Sequence, residues 1–401
     1  MLDRREFLRG SVTTGLATGW VGIGGLAAAA EPPGVRRRVP LGRTGISMSD
    51  VSFGSSRLRG EEDVVRHALD RGIDYFDTAE SYTDGRSEET LGRALAGVRD
   101  RITIASKTEC GASTRRDELM RALEGSLRRL ATDRIDVYFN HAVNDMKRLR
   151  NEEWSEFAAR ARQQGKIRFT GMSGHGGHLV QCMEYAAEHG LVDVMLVAIN
   201  YGQDPSFSQR FTASLDFVAV NPDLPRALRK ARENGIGVIA MKTLRGGRLN
   251  DLRAYETASG TFAQAALRWV LAHPDVDALV VSMTSATQID EYLGASGFTR
   301  AGSGDARLLA GYEARNGATQ CQTGCSACES SCPRGVPISD VLRARMYAED
   351  YGDAELAREA YAQLAGGAAA CLSCAERSCA CPHGLAIPEL TSRTHRRLVT
   401  A

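Results

Sequence analysis

The chain has 401 residues, enough to bury a large core and to hold two or three domains. Lys plus Arg number 50 against 49 Asp plus Glu, and no basic stripe with interleaved aromatics is present, which argues against nucleic acid as a partner. The hydrophobic fraction of 43% is ordinary for a globular protein, and eight of the ten cysteines crowd into the last eighty or so residues. The other two, Cys110 and Cys182, stand alone and read as small buried apolar residues.

Residues 1–30 carry the marks of an export signal. Asp3-Arg4-Arg5-Glu6-Phe7-Leu8-Arg9 is a charged start, Gly10 to Leu26 is an apolar run rich in Gly and Ala, and Ala28-Ala29-Ala30 is a cleavage site. The adjacent arginines before Phe7-Leu8 identify a twin-arginine signal and predict an exported, periplasmic protein; a general secretory signal is the alternative. The run is weakly apolar and broken by glycines, so no stable membrane span is expected.

Residues 37–49, with the turn Arg43-Thr44-Gly45, read as a hairpin. From there to Phe298, short apolar runs alternate with helical periodicity. Strands are predicted near 51–53, 74–77, 102–106, 135–140, 167–172, 193–199, 236–241 and 278–282. Helices are predicted near 61–71, 87–97, 116–130, 152–164, 178–189, 223–234, 261–272 and 286–294. Eight strand–helix units in about 260 residues give an α/β fold, a (β/α)8 TIM barrel over 31–300. An open doubly wound sheet is the competitor, and it is weakened because Phe53-Gly54-Ser55-Ser56-Arg57 lacks a G-x-G-x-x-G turn.

Barrel chemistry sits at the C-terminal strand ends. Asp77, Lys107 and His141 end the second, third and fourth strands, and Tyr82 follows Asp77 by five residues. Reduction of a carbonyl needs a proton for the developing alkoxide. A nearby Lys⁺ favours the phenolate and is expected to lower the pKa of Tyr82. Asp77 would hold Lys107 charged, and His141 would orient the carbonyl oxygen.

On these residues the chain resembles the aldo-keto reductase superfamily over roughly 38–298. The supporting runs are Leu41-Gly42-Arg43-Thr44-Gly45, Asp77-Thr78-Ala79-Glu80-Ser81-Tyr82, Gly85-Arg86-Ser87-Glu88, Leu127-Arg128-Arg129-Leu130, Asp136-Val137-Tyr138-Phe139-Asn140-His141 and Gly165-Lys166-Ile167-Arg168-Phe169-Thr170-Gly171-Met172-Ser173. The resemblance implies NAD(P)H-dependent reduction of a small aldehyde or ketone, with the family's tetrad on Asp77, Tyr82, Lys107 and His141. The nicotinamide pocket it implies, Ser173, Met241, Lys242, Met283 and Gln288, departs from the family's usual residues. Gly174 follows Ser173 where Asn is usual, Leu196 replaces a Gln, and Met241-Lys242 replaces a stacking aromatic. Substrate specificity is expected in the loops 143–150 and 202–221, the latter carrying Phe207, Phe211 and Phe217.

Residues 301–401 hold the cysteines in two runs. Cys321, Cys325, Cys328 and Cys332 form the first, and Cys371, Cys374, Cys379 and Cys381 the second. Each run ends in C-P-x-G-x-x-I. Four cysteines closing on Cys-Pro, written twice, predict 4Fe-4S clusters, most simply two. Disulfides and zinc are the alternatives, and the irregular spacing at Cys325 and Cys379 leaves one cluster open. Ser339-Asp340 is expected to cap a helix over 341–348. Asp353 is expected to cap another, with Leu356, Ala360 and Leu364 on one face and Gly366 as its stop. The helical spacer resembles the α-helical two-cluster ferredoxins, in which the Cys before Pro ligates the other cluster. That implies one set of Cys321, Cys325, Cys328 and Cys381 and another of Cys371, Cys374, Cys379 and Cys332. The whole resembles the branch of the superfamily with a ferredoxin-like tail. It would be served by a redox partner protein. The alternative is an iron–sulfur electron-transfer protein on a barrel that has lost nicotinamide binding.

Overall fold

A computed structural model of the chain describes residues 32–175, 178–203, 223–244, 256, 260–316, 321, 325, 327–349 and 354–399. The export signal, the aromatics Phe207, Phe211 and Phe217, and the Asp353 cap lie outside the described residues. Pro33–Ala401 clusters as one compact unit.

Two short strands, β1 (Arg38–Pro40) and β2 (Ser47–Ser49), pair antiparallel as the expected hairpin. Eight parallel strands follow: β3 (Val51–Gly54), β4 (Tyr75–Asp77), β5 (Thr103–Thr108), β6 (Ile135–Asn140), β7 (Ile167–Gly174), β8 (Val194–Ala198), β9 (Gly237–Met241) and β10 (Ala278–Ser282). They close in sequence order, with β10 pairing β3, so the (β/α)8 barrel is the fold and the open sheet is excluded. Period-two alternation sorts their side chains. On β6, Val137 and Phe139 fill the barrel interior while Tyr138 packs outward under the helices. The hairpin's Val39, Leu41, Ile46 and Met48 join that interior cluster beside Tyr75, Val194 and Ala278, the first residues of their strands. The hairpin therefore plugs the N-terminal end and leaves the C-terminal end for chemistry. Gly171 permits the close fit of β7 to β6: a Cβ there would lie 2.4 Å from the Phe139 ring.

The barrel helices fall where the periodicity placed them: α1 (Glu62–Asp70), α2 (Arg86–Ala94), α3 (Arg116–Arg129), then, past a one-turn helix α4 (Met146–Leu149), α5 (Glu152–Gln163), α6 (Leu179–Glu188), α7 (Leu224–Glu233), α8 (Phe262–Leu271) and α9 (Ala286–Leu293). Helix α3 buries Leu119, Leu123 and Leu127, four apart on one face. Thr261 and Gln264 close a reciprocal capping box at the start of α8.

A further helix, α10 (Ser303–Asn316), falls in the span assigned to the tail by sequence, yet it packs on the barrel. Its Tyr312 stacks on Phe262 of α8 at 4.2 Å, and Asp305 pairs with buried Arg268 at 3.1 Å. The tail helices are α11 (Ile338–Glu349), α12 (Ala354–Ala362) and α13 (Ile387–Val399), and they share a separate core. Helix α11 begins at Ile338, ahead of the expected cap. Ser339 is inside its first turn and donates its hydroxyl to Glu329 at 2.5 Å, while the Pro337 carbonyl accepts from Val341. Ala360 and Leu364 pack against the tail core as expected, and Gly366 has φ +70°. Among the described residues, no helix is long and apolar enough to cross a membrane.

Candidate active site

Asp77 is the last residue of β4, Lys107 the penultimate residue of β5, and His141 the first after β6. Parallel register sets these strand ends side by side, and Tyr82 reaches over them from the next turn. Two left-handed residues, Thr83 at φ +50° and Asp84 at φ +55°, sharpen that turn, and the Thr83 hydroxyl anchors it to the Leu58 carbonyl at 2.8 Å.

All four residues of the expected tetrad meet. Lys107 Nζ donates to Asp77 Oδ2 at 2.6 Å, to the Thr78 carbonyl at 2.5 Å and to the Tyr82 hydroxyl at 3.3 Å. The Tyr82 and His141 rings stand edge to face with centroids 5.6 Å apart. Burial pushes the Asp77 carboxyl up, and Lys107 draws it back in part. Burial opposes the Lys107 charge, but Asp77 and Tyr82 outweigh it and raise the ammonium. For Tyr82 the expected direction is reversed. Lys107 does pull the phenol down, but burial pushes harder, so the net shift is upward. At neutral pH the phenol therefore keeps its proton.

His141 is held neutral: burial, then Lys107, Arg148 and Lys242, push its pKa well down. Its Nδ1 is buried without a partner. A second layer fixes the tetrad. Ser55 donates its hydroxyl to the Asp77 carbonyl at 2.8 Å, and Ser87 donates to Ser55. Buried Glu88 takes the Ser106 hydroxyl at 2.5 Å and Arg129 Nε at 2.7 Å, which pins β5 immediately before Lys107.

The expected nicotinamide residues divide. Ser173 is buried, and its hydroxyl accepts from the Ala142 amide at 3.0 Å. Met241 and Lys242 stand at the end of β9, Lys242 in a left-handed conformation at φ +56°. Met283 is buried in the core, and Gln288 Oε1 accepts from the Thr284 amide and hydroxyl at 2.9 Å each, so neither makes a described contact with the tetrad. Leu196 lies in the apolar barrel interior.

The tail reaches this mouth. Arg343 and Tyr347, one turn apart on α11, meet the barrel directly. Arg343 Nη1 donates to the His175 carbonyl and lies 3.2 Å from His175 Nδ1, and Lys242 Nζ donates to the Tyr347 hydroxyl. Asn144 Nδ2 donates to Asp340 Oδ2 at 3.0 Å beside them. No motif marks Arg343 or Tyr347, and their i, i+4 spacing was the one available hint that they share a face.

His141 and His175 are both neutral in the fold, burial being the main cause for each. An unfolded chain takes up their protons below about pH 6.5 while the folded one does not, so stability falls as pH drops through that value. Asp77, with its raised pKa, acts in the opposite sense at lower pH. Urea midpoints should fall between pH 7 and pH 5.5, and the drop should shrink in a His141→Gln, His175→Gln variant. An equal drop in that variant would reject the assignment.

None of the tail cysteines is in a disulfide. Cys321, Cys325, Cys328 and Cys381 line one small hollow, and Cys332, Cys371, Cys374 and Cys379 line another. The last cysteine of each run thus joins the other run's cavity. The repeated C-P-x-G-x-x-I phrase folds the same way twice. Gly335 and Gly384, at φ +63° and +77°, donate their amides to the Cys332 and Cys381 carbonyls, and Ile338 and Ile387 open the following helices. His383 Nε2 lies 3.7 Å from Cys325 Sγ. Burial, with neighbouring thiols, pushes the Cys328 thiol up to about 12. Among the described residues, no three His, Cys, Asp or Glu converge as a single metal ion would require.

The model of the aldo/keto reductase family matches residues 52–260. An uncharacterized oxidoreductase of Bacillus subtilis, YrpG, is 27% identical over 303 residues, 62% of this chain and 87% of the relative. The L-glyceraldehyde 3-phosphate reductase of Escherichia coli K12 is 24% identical over 294 residues, with 62% and 84% covered. An aldo-keto reductase of Klebsiella pneumoniae solved with NADPH superposes with a TM-score of 0.54 at 26% identity, covering 68% of this chain and 94% of that one. A closed parallel barrel, strand-end polar groups and a family match over more than half its length agree: the chain is an oxidoreductase belonging to the aldo/keto reductase family.

Proposed function

We propose that the protein reduces a small aldehyde or ketone to its alcohol, or runs the reverse reaction, at the Asp77, Tyr82, Lys107 and His141 site. The observation that carries this reading is the Lys107 bond to both Asp77 and the Tyr82 hydroxyl. In it, Tyr82 protonates the carbonyl oxygen, the Lys107 charge eases the resulting phenolate, and neutral His141 orients the oxygen by a hydrogen bond. NAD(P)H, as in the Klebsiella neighbour, would supply the hydride when bound. In this reading Ser173, Met241 and Lys242 would hold its nicotinamide end.

The tail is read as a carrier of two 4Fe-4S clusters, whose chemistry when bound is one-electron transfer. Its two sets of four cysteines, each set lining its own hollow, support this. Arg4-Arg5 supports export of the folded, loaded protein to the periplasm, where a redox partner would exchange electrons with the tail.

A second reading keeps the clusters and gives up the nicotinamide. It is favoured by the Lys242 bond to Tyr347, which ties up a residue of that pocket, and by apolar Leu196 in place of an amide. One purification separates the readings. Protein from the periplasmic fraction, prepared without oxygen, is expected to hold roughly eight irons with matching sulfide, absorb near 400 nm and release NADP(H) on denaturation. Cys328→Ser and Cys371→Ser should each remove about half the iron. Clusters without nucleotide would favour the second reading, iron-free protein would reject the tail assignment, and absence from the periplasm would reject export.

A further inference from the structure

We propose that Arg148 is a positioning residue for the reduction: its guanidinium fixes the main chain at His141 and the loop that follows Lys107, and so aims the imidazole at the carbonyl oxygen. This deepens the proposed reduction and rests on it.

The side-chain nitrogens of Arg148 all bond to main-chain carbonyls. Nη2 donates to His141 at 2.7 Å, Nη1 to Ala142 at 2.9 Å and Nε to Cys110 at 3.0 Å. His141 is the first residue after β6, and Cys110 lies just beyond the end of β5, which carries Lys107. One planar fork therefore ties together the loops leaving two neighbouring strands of the site. Arg148 is itself set by α4, where Asp145 Oδ1 accepts its amide at 2.9 Å. The amides of the same turn are held by the neighbouring strands. His141 donates to the Thr108 carbonyl at 2.8 Å, Ala142 to the Ser173 hydroxyl at 3.0 Å and Val143 to the Ser173 carbonyl at 2.7 Å.

The turn needs this hold. Ala142 is left-handed at φ +53°, a conformation that a residue with a Cβ keeps only where its surroundings impose it. The imidazole has no bond of its own at Nδ1, the nitrogen whose hydrogen bond commonly orients a histidine ring. His141 is thus aimed by its main chain and by its edge-to-face contact with Tyr82. The charged and titratable groups around it are Lys107, Arg148, Lys242, Tyr82 and His175. Of these, Arg148 is the one bonded to the His141 backbone. Without the fork, three carbonyls lose their donors and the strained turn is free to relax.

The test uses the full chain carrying isotope-labelled histidine. The His141 imidazole signal is identified by its absence in His141→Gln. Arg148→Met should shift that signal and leave those of His189 and His395 in place. It should lower kcat roughly 10- to 100-fold with the KM for NADPH little changed, the scale expected of a misaimed group. Arg148→Lys keeps the charge but offers one nitrogen to three carbonyls, so it should restore only part of kcat, and it carries the same comparison if Arg148→Met does not fold. In a His141→Gln background, removing Arg148 should cost less than about twofold further. An unmoved His141 signal would overturn the proposal, as would equal losses of kcat in the two backgrounds, since Arg148 would then act on the fold alone. The signal is read without turnover, so a shifted imidazole in a protein that reduces no carbonyl would reject the proposed reaction and leave the hold of Arg148 on His141 standing.

Discussion

Tyr82→Phe is expected to lower carbonyl reduction by about 10²- to 10⁴-fold, the usual contribution of a positioned general acid. The ring stays, so its edge-to-face contact with His141 is kept and the fold should be unchanged by circular dichroism. The lost atom is the hydroxyl 3.3 Å from Lys107 Nζ, and no other described side chain at the mouth is equally placed to protonate an alkoxide. Tyr347 is near, but its hydroxyl already accepts from Lys242. The fall should appear in kcat with little change in KM, because the interaction is made in the transition state. Reduction at the wild-type rate would remove Tyr82 from the mechanism.

Lys107→Met is expected to cost both activity and about 3–5 kcal/mol of stability, the usual result of stripping one partner from a buried ion pair. Both side chains are enclosed, at 1% and 5% exposed, and Asp77 Oδ1 already lacks a partner, so the carboxylate left behind has no solvent to turn to. A Lys107→Met, Asp77→Asn double variant should regain most of the stability and none of the activity. Urea unfolding of the single and double variants reads the coupling directly. A single variant as stable as wild type would show that the pair does not hold the barrel mouth together.

The barrel was legible because its strands are buried on both faces and so appear as short apolar runs, such as Ile135–Asn140 and Ala278–Ser282. Strand-end placement made Asp77, Lys107 and His141 legible for the same reason. The direction of the Tyr82 shift was not, because sequence names the charged neighbour but not the depth of burial that outweighs it. Helix α10 was missed although Leu308 and Tyr312 stand one turn apart, since its Ala- and Gly-rich surroundings blur the apolar face. Arg343 and Tyr347 were beyond reach, because what makes them part of the site is the docking of α11 on the barrel, a long-range contact that no local pattern encodes. The grouping of the cysteines into two sets was legible only through the likeness to ferredoxins.

The exchange of Cys332 and Cys381 between the cavities makes the tail indivisible. Cutting the chain after the first run leaves three thiols around one hollow and a single orphan for the other, so neither half is a smaller working version of the whole. Loss of either half would break both hollows at once. The tail should therefore assemble in a single cooperative step that waits for the last twenty residues to emerge, with α11, and the Arg343 it carries, held back until the end of the chain has been made.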